Sequence, residues 1–116
     1  MALTLEITGD NDVVIVKMPK RMDADNSPVL EEDLKALTRW NSPIIIMDFS
    51  AKEYIASAGL RVILVTTRSL LKGGTKTGLI SLRPQVLRVF EMAGFTQIFS
   101  IYQTKEEALK KIQSSG

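Results

Sequence analysis

The sequence predicts an α/β domain in which a mostly parallel five-stranded sheet, antiparallel only at its first strand, carries four helices in the order β-β-α-β-α-β-α-β-α. Two patterns predict it. Val13 to Val16 and Ile44 to Met47 are short, continuous, largely β-branched runs, as expected of interior strands covered on both faces. Around them, apolar residues recur at helical spacing, so strands alternate with helices and the connections are crossovers. With 116 residues the chain forms one domain, residues 1–116, able to bury roughly two thirds of its unfolded surface without disulfide or metal.

Each element has its own signal. Leu3, Leu5 and Ile7 alternate with Thr4, Glu6 and Thr8, the period of a strand with one buried face, and Gly9-Asp10-Asn11-Asp12 is a turn into the second strand, Val13 to Met18. Pro19 stops that strand, which pairs with the first as an antiparallel hairpin. Ser27-Pro28 fits a cap followed by proline at the start of a helix whose apolar stripe is Leu30, Leu34, Leu37 and Trp40, ending near Asn41 ahead of Pro43. After the third strand, Ile44 to Met47, residues Leu60, Ile63, Leu64, Thr67 and Leu71 mark the second helix, which Gly73-Gly74 ends. Gly78 to Leu82 reads as the fourth strand. Pro84 opens a third helix carrying Val86, Leu87 and Phe90, and Gly94 closes it. Ile98 to Tyr102 reads as the fifth strand, Thr104-Lys105-Glu106-Glu107 as a capping box for the last helix, and residues 113–116 as a frayed tail.

Composition excludes several kinds of chemistry. There is no Cys and no His, which removes zinc-thiolate sites, thiol catalysis, and the commonest general base and metal ligand. No carboxylate cluster has metal-ligand spacing, so neither metal nor cofactor is expected. The 15 Lys and Arg residues exceed the 13 Asp and Glu by only two and are scattered, so a nucleic-acid footprint is not indicated. The longest apolar runs fall far short of the ~20 residues of a membrane span, and the first residues lack the basic start of a secretion signal, so the expected location is the cytoplasm and no membrane partner is expected.

In open α/β sheets function collects at the carboxyl ends of the parallel strands. The segment following the third strand, Asp48 to Arg61, joins a buried strand to a strongly patterned helix. Within it, Ser57 precedes small residues and the first apolar helix position, which makes it a candidate N-cap. A purely structural reading assigns Ser57 to capping, Ala58 and Gly59 to close packing, and Asp48 to the loop.

The residues Asp48-Phe49-Ser50 and Tyr54-Ile55-Ala56-Ser57-Ala58-Gly59-Leu60 resemble the signature of the anti-sigma factor antagonists, the single-domain members of the STAS family. Arg21-Met22-Asp23, Gly73-Gly74 and Val89-Phe90-Glu91-Met92-Ala93-Gly94-Phe95 stand where that family places similar motifs, so the resemblance extends over essentially the whole chain. It implies a single STAS-like domain; with His and Cys absent, no catalytic turnover of its own is expected. It implies as partners an anti-sigma factor that is also a serine kinase, acting on Ser57, and a serine phosphatase that reverses the modification. The unphosphorylated form would bind the anti-sigma factor and release the sigma factor. The family often has Asp before the serine; this chain has Ala56, which removes a charge beside the acceptor. Asp23 matches an acidic position the family keeps near the serine, and it equally fits an exposed loop carboxylate. The expected partner-binding set is Asp23, Ala56, Ser57, Ala58, Gly59 and Arg61. Independently of the resemblance, a phosphate would bring about −1.5 to −2 charge to a small, nearly neutral surface.

Other functions fit less well. Lys72-Gly-Gly-Thr-Lys-Thr-Gly78 has the flavour of a phosphate loop but lacks the Gly-Lys-Ser/Thr order and precedes a strand. Asp48 sits like a receiver phosphoacceptor, yet Pro19-Lys20-Arg21 follows the second strand where a receiver's acidic pair belongs. A small serine hydrolase using Ser57 would, without His, need a Lys or carboxylate such as Lys52 or Asp23 as base, and Ala56-Ser57-Ala58-Gly59 lacks the first glycine of a nucleophile elbow. A STAS-type scaffold or docking subunit of a signalling assembly outside the sigma-factor pathway is the remaining alternative.

Overall fold

A computed structural model describes residues 4–7, 13–23, 25–37, 44–50 and 54–114. Along the chain run β1 (Thr4–Ile7), β2 (Val13–Lys17), β3 (Arg21–Met22), α1 (Ser27–Leu37), β4 (Ile44–Asp48), β5 (Tyr54–Ile55), α2 (Ser57–Lys72), β6 (Lys76–Ile80), α3 (Pro84–Met92), a 3-10 turn (Phe95–Gln97), β7 (Ile101–Tyr102) and α4 (Lys105–Ser114). The main sheet has the order β1-β2-β4-β6-β7, with β1 antiparallel to β2 and every other pair parallel. The fold is thus α/β, with four helices and a mostly parallel sheet, as the patterns predict.

Both faces of this sheet are buried, and that is why β2 and β4 read as unbroken apolar runs. On one face Val14, Val16, Ile45, Met47 and Leu79 pack with Leu30 and Leu34 of α1, Ile63 and Leu70 of α2, and Val86 and Phe90 of α3. On the other, Val13, Ile15, Ile44, Ile46 and Ile80 pack with Ala108 and Ile112 of α4. Alternate residues of one strand therefore serve opposite cores. Phe49, directly after β4, meets Phe90 edge-on at 6.0 Å, and Phe90 in turn meets Phe95 at 6.4 Å and Phe99 at 5.6 Å. Two of the segments that carry the family resemblance are thereby joined in one aromatic core.

Helix ends follow local chemistry. At the end of α2, Gly74 takes φ +88 while Gly73 keeps φ −81; the Thr75 N–H bonds the Leu70 carbonyl at 2.9 Å and the Gly74 N–H that of Leu71 at 3.1 Å. This 6→1 and 5→2 pair closes the helix and turns the chain into β6, so Lys72 to Gly78 is a helix stop at Gly73 to Thr75 followed by the first residues of β6. Gly94 likewise adopts φ +76 after α3. Thr104 accepts the Glu107 N–H at 3.1 Å, one half of the expected capping box.

Several expectations need correction. Helix α1 begins at Ser27 itself, and the Asn26 carbonyl accepts the Leu30 N–H at 3.0 Å as its first turn, so Ser27 is not the cap and Pro28 is the second helical residue. The order β-β-α-β-α-β-α-β-α omits β3 and β5, which form a separate two-stranded parallel sheet. Two residues are too few to show a period of two. The fifth strand is Ile101–Tyr102 rather than Ile98 to Tyr102, because Gly94 leads into the 3-10 turn and Ile98 is still bonded back to Phe95. The fourth strand is Lys76–Ile80, and Ser81 after it sits at φ +59, outside strand geometry. Finally, α2 begins at Ser57 with Ala56 as its cap, so Ser57 is not the N-cap. The Gly9 to Asp12 turn, Trp40, Asn41, Pro43 and Lys52 lie outside the described residues; of 113–116, Gln113 and Ser114 belong to α4 and 115–116 lie outside.

Candidate functional site

The site is built where the small β3–β5 sheet feeds α1 and α2. Arg21 pairs with Tyr54 and Met22 with Ile55, so the next residue on each strand is Asp23 on one side and Ala56 on the other. Ile55 is buried and anchors this ladder to the main core, while Tyr54 is half exposed. Ala56 is extended, at φ −101 and ψ 171, and its carbonyl accepts the Leu60 N–H at 3.0 Å, the first turn of α2.

Ser57 is consequently the first residue inside the helix, exposed, with no side-chain capping bond at this end and no acidic residue in the first turn. Beyond it Ala58 is half-buried, Gly59 and Leu60 are buried, and Arg61 is exposed one turn on. Gly59 therefore lies beneath the surface that Ser57 and Arg61 form. Ala58, Arg61, Val62 and Val65 face Ser27 and Glu31 of α1 across a groove of about 370 Å³. Sequence reasoning did not assign Ser27, Glu31 or Val65 to the candidate site, because nothing local announces which faces of α1 and α2 adjoin.

Asp23 is committed locally. Its Oδ1 accepts the N–H groups of Asp25 at 3.0 Å and Asn26 at 3.3 Å, and its Oδ2 lies 3.0 Å from Arg21. Asn26 returns the bond, its Oδ1 accepting the Asp23 N–H at 2.9 Å while its amide donates to the Arg21 carbonyl at 2.8 Å. Such a reciprocal turn fixes the start of α1 and uses both Asp23 oxygens, which leaves Asp23 poorly suited to act as the base of a serine hydrolase. Asp48 is also structural: its Oδ1 accepts the Ser50 N–H at 2.8 Å and its carbonyl the Met18 N–H at 2.9 Å. Among the described residues no group of three His, Cys, Asp or Glu could hold a metal ion, and no helix is long and apolar enough to cross a membrane.

A STAS domain family model matches residues 4–108. The chain is 33% identical over 87 residues, 75% of each chain, to BtrV of Bordetella bronchiseptica, a protein named as an anti-sigma factor antagonist. A crystal structure from Thermotoga maritima, described as an anti-sigma factor antagonist, superposes with a TM-score of 0.83 at 26% identity, covering 96% of this chain and 94% of that one. The Bacillus protein SpoIIAA has the same fold, with TM-scores of 0.77 for its unphosphorylated form at 21% identity and 0.68 for its phosphorylated form at 20% identity, each covering 96% or more of both chains. The chain belongs to the STAS domain family, among the anti-sigma factor antagonists.

Proposed function

We propose that the unmodified chain binds an anti-sigma factor with serine kinase activity, so releasing the sigma factor in the cytoplasm, and that phosphorylation of Ser57 ends this binding. The observation that carries the reading is the state of Ser57: an exposed hydroxyl at the start of α2, free of any capping duty. In the transfer, the Ser57 Oγ bonds to the γ-phosphorus of ATP, the bond from that phosphorus to the bridging oxygen breaks, ADP leaves, and the hydroxyl proton passes to a base of the kinase or to water. A phosphatase restores the serine by hydrolysis, yielding inorganic phosphate. The chain itself acts as a regulator and catalyses neither step.

The partner surface comprises Asp23, Ala56, Ser57, Ala58 and Arg61, with Gly59 setting the depth of the helix beneath them. A phosphate adds charge and bulk at its centre. Losing a hundredfold in affinity requires about 2.7 kcal/mol, within reach of an anion buried in an interface that offers it no partner. SpoIIAA supports the reading, since a protein of this fold exists in both phosphorylated and unphosphorylated forms. Ala56 in place of the family's frequent Asp leaves a neutral approach to the acceptor. Incubation with the cognate kinase and ATP, followed by phosphopeptide mapping, tests the proposal: the label belongs on Ser57, and a label confined to Ser50 or Ser69 would exclude it.

A further inference from the structure

Ser57 and Arg61 are both exposed and stand one helical turn apart on α2. Residues four apart project from the same side of a helix, with Cβ atoms about 5–6 Å from each other. Among the described residues no ion pair or side-chain hydrogen bond occupies Arg61. The α2 sequence from Ser57 to Lys72 contains no acidic residue, and Ala56 adds none. Among the described residues, the acidic groups placed beside the start of α2 lie on other elements: Glu31 faces Arg61 across the groove, and Asp23 is already held by Arg21 and the Asn26 turn.

Granting the reading that Ser57 is phosphorylated, we propose that Arg61 folds back onto the phosphate, so that modification withdraws this cation from the partner surface as well as placing an anion there. The order is favourable, with the anion N-terminal to the cation at i and i+4, and the planar guanidinium can meet two phosphate oxygens at once. A phosphate of about −1.5 to −2 charge outcompetes the single charge of Glu31 for Arg61. Two changes thus reach the partner from one modification: a bulky anion appears, and an arginine it used in the unmodified complex becomes engaged within the same helix.

Phosphoserine installed at position 57 during translation tests this without any kinase, in the wild-type sequence and in Arg61→Gln, by following the ³¹P resonance against pH at low salt. The second phosphate ionisation should fall about half a pH unit lower with Arg61 than with Gln, because a neighbouring cation favours the dianion. Arg61→Lys should restore part of the difference, and about 0.5 M salt should remove most of it. Arg61 is exposed, so the variant should fold. A second measurement needs no variant: the Arg61 Nε–H resonance should shift on going from serine to phosphoserine. Identical titrations in the two proteins, or an Nε–H resonance that does not move, would overturn the pairing. Failure of the cognate kinase to modify Ser57 would count against the proposed function and leave the pairing intact.

Discussion

Arg21 and Tyr54 face each other across the two-residue β3–β5 ladder, with the guanidinium carbon 5.9 Å from the tyrosine ring centroid while the same group reaches Asp23 at 3.0 Å. One arginine thus ties the segment leaving β2 to the segment entering α2. The starts of both helices, and with them Asp23 and Ser57, are held at one end of the domain by this small sheet.

Asp23 contributes to that order chiefly through its Oδ1, which accepts two backbone N–H groups, since Arg21 is 70% exposed and an ion pair with so exposed a partner is worth little. Asp23→Ala should lower stability by about 1 kcal/mol, the usual scale for removing a side chain that holds a helix start. Asp23→Asn keeps the acceptor and should stay within about 0.5 kcal/mol of wild type. Urea midpoints compare the three; equal losses for both variants would show that the charge, not the acceptor, matters.

Ser57→Ala should change stability by less than about 0.5 kcal/mol, because Ser57 lies inside the helix and holds no cap bond. A true N-cap serine would cost about 0.5–2 kcal/mol on the same substitution. Thermal unfolding of the two proteins decides which, and a loss well above 1 kcal/mol would restore the capping role.

That one-residue difference shows where sequence reasoning stops. A serine ahead of an apolar helix is ordinarily its cap, and nothing in Ala56 suggests otherwise; the helix starts one residue earlier because Ile55 is anchored in the core by a ladder of only two pairs. Long-range placement of this kind leaves no local pattern. By contrast β2 and β4 were legible because each is buried on both faces, and the end of α2 because glycine alone accepts the conformation found at Gly74 with ease. Of the candidate site, Ser57, Asp23, Ala56, Ala58 and Arg61 gather at one end of the fold, whereas the groove partners Ser27 and Glu31 required knowing that α1 lies beside α2.

The paired glycines after α2 should respond in opposite directions. Gly74→Ala forces a Cβ into the left-handed region and should cost about 1–2 kcal/mol. Gly73→Ala, at φ −81 with the added Cβ no closer than 3.6 Å to any neighbouring heavy atom, should be neutral or stabilise by about 0.4–1 kcal/mol through the unfolded chain. Denaturant titration of both variants checks the assignment, and equal destabilisation would contradict it.

Phe90 is fully buried and touches Phe49, Phe95 and Phe99 edge-on. Phe90→Ala should therefore cost about 3–5 kcal/mol, a large share of the 5–15 kcal/mol a domain commonly has. Calorimetry should show a sharply lowered transition. A shift of only a few degrees would mean that the aromatic cluster is not the centre of this core.

The most direct test of the switch is the affinity of the cognate anti-sigma factor for three folded proteins: unmodified, phosphorylated at Ser57, and Ser57→Ala. The unmodified protein and Ser57→Ala should bind alike, and the phosphorylated protein at least about a hundredfold more weakly, a difference of about 2.7 kcal/mol. Undiminished binding of the phosphorylated form would contradict the central claim and return Ser57 to an ordinary surface serine.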